Sequence, residues 1–271
     1  MPKPTHLSSP ANRRVKAVLK LREHRHRRRT GLFIAEGMRQ VTRALAAGLV
    51  LRELYQQHDA RISDPGPGSW AAQAEVFDVT PRVMKKMAYR AKPQGVIAVF
   101  EQPAWRLDRL PTDPATNDLW LVAVGIEKPG NLGAMARSAA GAAAAAMFVA
   151  DAVVDPFHPN AIRASTGAVF NLPVIGDTTV AIVDWLRGRR ARIFAATPHA
   201  TAPYTDADLT GPVAVVIGAE DTGLGQPWLD AAATQVRIPL AEGPVDSLNA
   251  ATAAAVLLFE ATRQRSRQPH A

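Results

Sequence analysis

The second half of the chain alternates short apolar runs with helical stretches, and this rhythm limits the fold more than any other feature. The predicted strands are residues 119–126, 147–150, 174–175, 192–196, 213–217 and 236–238. The predicted helices are residues 132–144, 160–166, 179–187 and 248–263. Strands that alternate with helices form a mostly parallel sheet with helices on both faces. A ligand site in such an α/β fold is expected beyond the carboxyl ends of the strands.

The N-terminal part of the chain predicts a smaller α/β unit. Its predicted helices are residues 13–29, 36–47 and 81–88, and its predicted strands are residues 32–35, 50–55, 75–79 and 95–100. A Pro/Gly turn is expected at residues 64–68. Prolines and acidic residues then predict a linker, because proline interrupts helices and central strands alike. We therefore predict an N-terminal domain at residues 1–102, a linker at 103–117 and a second domain at 118–271.

The positive charge of the chain is concentrated at its N-terminus. The net charge is +8, and residues 1–30 contain ten Lys or Arg and one acid, Glu23. Apolar residues interleave with the basic ones at helical spacing, which predicts a helix with an apolar face and a basic face. The basic face favours nucleic acid as the partner, since its backbone is a polyanion. A solvated basic tail is the alternative. The candidate contacts are Arg13, Arg14, Lys16, Arg22, Arg27 and Arg28.

Other features exclude or disfavour several classes of protein. There are no cysteines, which excludes disulfides, thiolate metal sites and cysteine nucleophiles. The histidines lack metal-ligand spacing, so no metal is expected. Neither a dinucleotide-binding fingerprint nor a phosphate-binding lysine loop occurs, which disfavours hydride transfer and NTP hydrolysis. The N-terminus does not read as a signal peptide, and the longest apolar run, residues 139–150, is too short to span a membrane. We expect a cytoplasmic protein that does not enter the membrane.

Polar loops follow three of the apolar strands. They occupy residues 128–137, 216–224 and 236–249, and each brings Gly, Asn, Glu or Arg to the end of a strand. Because the carboxyl ends of parallel strands meet at one edge of a sheet, we expect the loops to form one site. The alternatives are structural: helix caps for the Asn and Ser residues, a surface charge for the Arg, and an exposed acid for the Glu, which we expect instead to anchor its loop or a partner subunit. The candidate site residues are Asn131, Arg137, Glu220, Ser247 and Asn249.

The three loops, in this order, resemble the motifs of the SpoU (TrmH) branch of the knotted RNA methyltransferases. Residues 129–137, 217–224 and 238–249 are similar to the first, second and third motifs of that family. Residues 33–37 and 92–96 are similar to its substrate-binding extension, which implies that the N-terminal domain binds RNA. The resemblance also implies a C-terminal trefoil knot, a homodimer and S-adenosylmethionine as the cofactor. The implied reaction is methylation of an RNA ribose 2′-hydroxyl.

The same resemblance implies roles for individual residues. Arg137 would have the central role, and because a guanidinium is effectively never deprotonated in proteins, we expect it to stabilise the developing alkoxide and not to act as a base. Asn131 and Asn249 would orient the ribose or Arg137. Arg163 resembles a second family arginine that binds phosphate, with a surface charge as the alternative. Backbone groups would hold the cofactor at Ala196, Thr197, Pro198, Ile217, Gly218, Ala219, Ile238, Leu240 and Leu248. The chain departs from the family at Ala142-Ala143, where Phe-Gly is common, and at Asp221, where Gly is common.

The expected substrate is 23S ribosomal RNA, because the N-terminal domain resembles an extension suited to structured RNA. A transfer RNA methyltransferase of the same fold is the first alternative. The second is a non-catalytic RNA-binding relic, which would have lost its affinity for S-adenosylmethionine. The sequence leaves open whether methylation serves ribosome maturation or antibiotic resistance.

Overall fold

The computed structural model describes residues 4–57, 74–111, 118–152, 154–244 and 246–267. The chain packs as two compact units, one formed by Met1–Ala104 with Phe157–Phe170 and the other by Trp105–Pro156 with Asn171–Ala271. The predicted turn at 64–68 and residues 112–117 of the predicted linker lie outside the described residues. The predicted domain boundaries stay a prediction, and they differ from these units in assigning residues 157–170 to the second domain.

The first unit contains a mixed five-stranded sheet in the order β1-β4-β3-β5-β2. Strands β2 and β3 run antiparallel to β5, while β4 runs parallel to both β1 and β3. The strands are β1 (Thr5–Leu7), β2 (Leu32–Glu36), β3 (Leu51–Gln57), β4 (Glu75–Val79) and β5 (Val96–Glu101). The helices are α1 (Arg13–Lys20), α2 (His24–Thr30), α3 (Met38–Ala46) and α4 (Pro81–Met87). The short strand β1 was not predicted.

The basic N-terminal segment forms two helices, so the prediction of one helix over residues 13–29 is wrong. Helix α1 ends at Lys20, and the next carbonyl groups turn toward Arg27. The Arg27 guanidinium donates to the carbonyl oxygens of Leu21 and Arg22, both at 2.8 Å. It thereby binds backbone acceptors that the end of a helix leaves without partners. Arg27 is completely buried as a result.

The apolar face predicted for the first helix is confirmed. Val15 and Val18 of α1 are buried, and so is Leu21 directly after it. These side chains pack in one core with Tyr55 of β3 and Met84 of α4. The basic side chains of the same helix lie on its other side because 3.6 residues complete each turn. Burial of the apolar stripe therefore orients the positive charge toward solvent.

The second unit is built on a six-stranded sheet whose paired strands all run parallel, in the order β11-β9-β10-β6-β7-β8. The strands are β6 (Leu119–Val124), β7 (Ala146–Ala150), β8 (Val174–Asp177), β9 (Arg192–Ala196), β10 (Val213–Ile217) and β11 (Thr234–Val236). The helices that follow α4 in the chain are α5 (Pro129–Gly141), α6 (Pro159–Ala164), α7 (Thr179–Gly188), α8 (Gln226–Ala231) and α9 (Ala250–Arg265). The predicted α/β class with a parallel sheet is confirmed. The trefoil knot stays a prediction.

Helices cover the parallel sheet because its central strands are apolar on both faces. Trp120 and Val216 point toward α7 and α8, where they pack with Ile182 and Trp228. Helix α9 contacts α5, β6 and β10. Helix α8 was not predicted, and β11 lies two residues before its predicted position. No helix among the described residues is long and apolar enough to cross a membrane.

Helix α6 groups with the first unit although its neighbours in sequence belong to the second. The ring of Phe157, just before α6, lies 4.8 Å from the ring of Phe33 on β2. Phe170, which ends a short 3₁₀ turn after α6, lies 5.6 Å from the same ring. All three rings are buried. Aromatic packing of this kind anchors both ends of the segment to the first sheet.

Ala143, just after helix α5, has a strained backbone at a position where the chain departs from the family pattern. Ala143 has a φ of 55°, the left-handed conformation in which glycine is favoured. Its N–H donates to Ala140 and the next N–H, of Ala144, donates to Ala139, so the helix ends in a tight reversal. A left-handed conformation costs an L-residue about 1–2 kcal/mol. The Gly that the family often carries here removes that cost.

We predict that Ala143→Gly raises the free energy of unfolding by about 1 kcal/mol, the strain relieved less the extra unfolded-state entropy of glycine. Urea denaturation of the two proteins measures the difference. Ala145→Gly is the matched control, because Ala145 is exposed and has no left-handed backbone, so this change should not stabilise. If the free energy of unfolding of A143G does not exceed that of the original protein, the strain assigned to Ala143 is wrong.

Candidate active site

The three polar loops meet at the carboxyl ends of neighbouring strands in the second unit. Strand β6 leads into α5 and β10 leads into a tight turn, and these two strands pair directly. The third loop runs from β11 to α9, whose first residues contact the same region. The side chains that meet are those of Asn131, Glu220 and Asn249, one from each loop. The three loops therefore converge through these side chains, as expected, while their role as one functional site stays a prediction.

The carboxylate of Glu220 joins the loops. Its Oε2 accepts from Nζ of Lys128 at 2.8 Å, and its Oε1 accepts from Nδ2 of Asn131 at 2.9 Å. Nδ2 of Asn249 donates to the same Oε1. The hydrogen bond from Lys128 is the largest of the effects that lower the pKa of Glu220 below its usual value, so the carboxylate is charged at neutral pH. We call Lys128, Asn131, Glu220 and Asn249 the Glu220 cluster.

Asn249 has no free hydrogen-bonding donor. Its Oδ1 accepts from the backbone N–H of Ala251 at 3.0 Å and of Thr252 at 3.4 Å, so it caps α9. Its Nδ2 donates to Glu220 and, at 3.3 Å, to Oδ1 of Asn131. An amide nitrogen has two hydrogens, and both are used. Asn249 therefore positions its neighbours, and its Nδ2 has no hydrogen left for a substrate.

The other predicted caps are not formed. Helix α5 begins at Pro129, so Asn131 lies inside the first turn, and its amide bonds to Glu220 instead of the helix backbone. Ser247 donates to Oδ1 of Asp246 at 3.1 Å and lies before the capping residue of α9. The cap hypothesis is thus right for Asn249 and wrong for Asn131 and Ser247. One amide hydrogen of Asn131 remains available.

Arg137 lies exposed on α5, while Met135 and Ala136 beside it are buried. Within the part of the chain that the structure describes, no acceptor bonds to its guanidinium. A guanidinium presents five donors in a planar fork and stays protonated in proteins. Arg137 therefore offers an unoccupied cation for an oxyanion or a phosphate.

The segments predicted to hold the cofactor follow three adjacent strands, β11, β9 and β10. Strands β9 and β11 end side by side, and the N–H of Thr197 donates to the carbonyl of Val236 at 3.0 Å. Residues 196–198, 217–219 and 238–240 thus lie at the same edge of the sheet. The backbone groups beyond a strand end are free of the ladder, so such an edge offers donors and acceptors to a polar ligand. Leu248 lies directly before the capping Asn249.

The second loop folds back so closely that it requires glycine at position 218. A Cβ on Gly218 would lie 2.3 Å from the carbonyl oxygen of Gly223 and 2.4 Å from its carbonyl carbon. The turn is closed by the N–H of Gly223, which donates to Ala219 at 3.1 Å. Asp221 has no left-handed backbone in this turn, and its Oδ1 accepts from the N–H of Thr222 at 2.9 Å. The turn therefore accommodates Asp where the family often has Gly.

The six predicted RNA contacts of the N-terminal helices divide into two groups. Arg13, Lys16 and Arg28 are exposed. The other three are engaged in the fold: Arg14 pairs with Glu53 and Glu75, Arg22 donates to the carbonyls of Lys86, Met87 and Ala88, and Arg27 is buried. An RNA contact at Arg27 is wrong because its guanidinium lies in the core. Arg163 is exposed on α6, in the first unit.

Lys128 is a member of the Glu220 cluster that the sequence did not predict. It precedes Pro129 and is largely exposed, so only its ion pair with Glu220 distinguishes it from a solvated lysine. No sequence signal marked it, since its partner lies 92 residues away in the chain. Among the described residues, no group of three or more His, Asp or Glu side chains could hold a metal ion.

Comparison with known proteins decides the family. Residues 118–259 match the SpoU rRNA Methylase family, which is more than half of the chain. The chain belongs to the SpoU rRNA Methylase family. Residues 12–98 match the MRM3-like substrate binding domain. The SpoU match contains every residue of the Glu220 cluster together with Arg137.

Individual relatives resemble the chain over nearly all of its length. A 23S rRNA (uridine(2479)-2′-O)-methyltransferase of Streptomyces viridochromogenes is 32% identical, over 88% of this chain and 85% of that protein. A crystal structure of an RNA 2′-O ribose methyltransferase has a TM-score of 0.83 and 41% identity, covering 97% of this chain and 100% of its own. The AdoMet-bound rRNA methyltransferase from Sinorhizobium meliloti has a TM-score of 0.87 and 30% identity, covering 96% and 97%. The likeness therefore extends over both units of this SpoU chain.

The low pKa of Glu220 makes the stability of this SpoU protein depend on pH. A carboxyl group whose pKa falls on folding stabilises the fold above its usual pKa of 4.5, and this contribution is lost as the pH drops through the lower folded value. We expect the melting temperature to fall between about pH 6 and pH 3.5, and to fall less in Glu220→Gln. Glu242→Gln is the control, since Glu242 is an exposed acid. Equal pH dependence in E220Q and the unaltered protein would contradict the assigned role.

Proposed function

We propose that this protein transfers the methyl group of S-adenosylmethionine to a ribose 2′-hydroxyl of 23S ribosomal RNA. The observation that carries the proposal is the convergence of the three family loops on Glu220, next to a helix that presents an uncommitted Arg137. The named relative from Streptomyces viridochromogenes methylates a 2′-oxygen of 23S rRNA, which supports the substrate class.

The donor set at the sheet edge fits S-adenosylmethionine. The residues that would hold it are 196–198, 217–219, 238–240 and 248, mostly through backbone N–H and carbonyl groups at the ends of β9, β10 and β11. Ile217 is buried and Ile238 is partly buried, so apolar walls accompany those polar groups. When bound, the cofactor supplies an electrophilic methyl group on a sulfonium centre. The AdoMet-bound relative of the same fold supports this assignment.

Arg137 stabilises charge as the 2′-hydroxyl loses its proton. Methyl transfer needs the nucleophilic oxygen held in line and its developing charge balanced. A guanidinium carries no acceptor lone pair for this proton, so it does not serve as the proton acceptor. It holds the alkoxide and an adjacent phosphate with its fork of donors, while a phosphate oxygen or water takes the proton.

The Glu220 cluster supports that reaction by orienting Asn131. Glu220 and Asn249 fix the amide of Asn131, so its remaining N–H points in one direction. We assign that N–H to the ribose, and we assign the exposed hydroxyl of Ser247 to the lining of the same site. Glu220 and Asn249 act through Asn131, and Lys128 acts by holding Glu220. This arrangement separates the groups that touch substrate from the groups that position them.

The proposal includes a homodimer in the cytoplasm. Phe259 on α9 is 50% exposed and lies beside Gly141 of α5, and Leu240 of the third loop is also exposed. Exposed apolar side chains on the helices and loop of the site support a partner surface there. A second copy of the chain, related by symmetry, is the partner that the resemblance to the family implies.

We predict that Arg137→Ala abolishes methyl transfer to 23S rRNA without loss of S-adenosylmethionine binding. Arg137→Lys should also fail, because an ammonium does not reproduce the planar fork. Transfer of a radiolabelled methyl group to 23S rRNA transcripts, with transfer RNA as a second substrate, measures the activity. Arg187→Ala is the control, since Arg187 is an exposed arginine on α7. Near-normal activity of R137A or R137K would overturn the role, and preferential methylation of transfer RNA would overturn the substrate.

The exposed basic residues of α1 and α2 are proposed to contact the RNA backbone. Each phosphate contact releases counterions, so the logarithm of affinity falls with the logarithm of salt concentration by about 0.7–0.9 per contact. We predict that changing Arg13, Lys16, Arg25 and Arg28 to Gln weakens RNA binding and flattens this slope accordingly. The control changes Arg109, Arg187, Arg190 and Arg267, four exposed arginines of the second unit, to Gln. If the first variant and the original protein show the same dependence of RNA affinity on salt concentration, these charges belong to a solvated surface and do not contact RNA.

A further inference from the structure

The first unit contains a small cavity that the proposed reaction does not use. Its volume is about 20 Å³, enough for one water-sized group. None of the residues of the Glu220 cluster lines it. The polar and aromatic side chains that line it include Glu36, Gln40, Tyr89, Arg90 and Arg163.

Glu36 supplies an unsatisfied acceptor to this cavity. One carboxylate oxygen, Oε2, accepts from the backbone N–H of Tyr89 at 2.8 Å and of Arg90 at 3.2 Å. The other oxygen, Oε1, is buried and receives no hydrogen bond from the described residues. Glu36 ends β2, and the two backbone bonds hold its side chain in place. The carboxylate is therefore fixed, with one oxygen bonded and the other buried without a partner among the described residues.

Gln40 supplies a second unsatisfied acceptor. It lies in the first turn of α3, is 6% exposed, and has a buried Oε1 that no described residue bonds. Between the two side chains, Gly37 has a φ of 95°, and a Cβ there would lie 3.2 Å from Oε1 of Gln40 and 1.9 Å from Oε1 of Gln94. Buried acceptors without donors are destabilising, so their presence points to a donor that arrives from outside.

The remaining wall of the cavity is cationic and aromatic. Arg90 and Arg163 line it, and no acceptor in the described ranges bonds to either guanidinium. Tyr89 is 37% exposed, with its hydroxyl accepting from Asn160 at 3.3 Å. Free guanidinium groups bind phosphates, and exposed aromatic rings stack on unpaired bases in RNA recognition. The two guanidinium groups and the ring therefore suit the phosphate and the base face of a nucleotide. The two acceptors suit a hydrogen-bond donor on the edge of the base.

We propose that this cavity reads the exocyclic amino group of an RNA base. An amino group has the size of one water and carries two hydrogens, one for Oε1 of Glu36 and one for Oε1 of Gln40. Cytosine, adenine and guanine carry such a group, whereas uracil presents a carbonyl oxygen at the equivalent position of cytosine. That carbonyl would face two acceptors and be rejected. The inference rests on the proposed function, because it takes RNA as the ligand.

The test compares the affinities of oligocytidylate and oligouridylate decamers by fluorescence anisotropy. The two bases differ in the group at carbon 4, so their affinity ratio isolates the amino group from the phosphate contacts. We expect about tenfold tighter binding of the cytidylate, the discrimination typical of paired base-edge hydrogen bonds. Glu36→Gln replaces Oε1 by a donor and Gln40→Leu removes the other acceptor, so each should bring the ratio close to one. Glu23→Gln is the control for charge in the same unit, and it should keep the ratio.

Two results would overturn the inference alone. Equal binding of both oligonucleotides by the original protein means that the cavity holds water, while RNA binding and the proposed function stand. A preference that survives in both E36Q and Q40L, with each variant folded by its melting curve, places base discrimination elsewhere. Failure of the original protein to bind either RNA would contradict the proposed RNA substrate and this inference with it.

Discussion

One carboxylate determines how the candidate site is assembled. Glu220 binds Lys128, Asn131 and Asn249, which come from the entry to α5 and the entry to α9. It can do so only because β6 and β10 are parallel neighbours, with Ile217 paired to Ala123 at the end of the ladder. A carboxylate accepts from several donors at once, whereas an amide in its place would face the asparagines with a donor of its own. The sheet sets the distances, and the charge of Glu220 selects the partners.

Much of the second unit could be predicted because its central strands are apolar without interruption. Strand β10 is buried at every position, and its predicted bounds, residues 213–217, agree with the structure. The prediction placed edge strand β11 two residues too late. Thr234 and Gln235 are exposed and only Val236 is buried, so the apolar residues do not mark the bounds of this strand. The break between α1 and α2 was missed for a different reason. Arg27 reads as a surface charge, but its guanidinium is buried and donates to the carbonyls of Leu21 and Arg22 just after α1.

The meeting of the three loops could also be predicted, since it follows from parallel strands, but the division of labour among the polar residues could not. Asn131 and Asn249 are the same residue type beside a helix start, yet only Asn249 caps its helix. The difference arises from Pro129, which places the start of α5 two residues before Asn131. Similarly, Arg13 and Arg14 are adjacent, but only Arg14 faces the carboxylates of Glu53 and Glu75. Such roles depend on partners far away in the chain.

Hydrogen-bond saturation separates the groups that hold this structure from the groups that can act on a ligand. Asn249 has used both amide hydrogens, so a further contact of its Nδ2 would require breaking an existing one. Arg137 projects from α5 and Oε1 of Glu36 belongs to a carboxylate bonded to two backbone N–H groups, and neither has a partner among the described residues. A group with unused hydrogen-bonding capacity can bind a ligand without first giving up a partner. Both the proposed chemistry at Arg137 and the proposed base reading at Glu36 rest on that property.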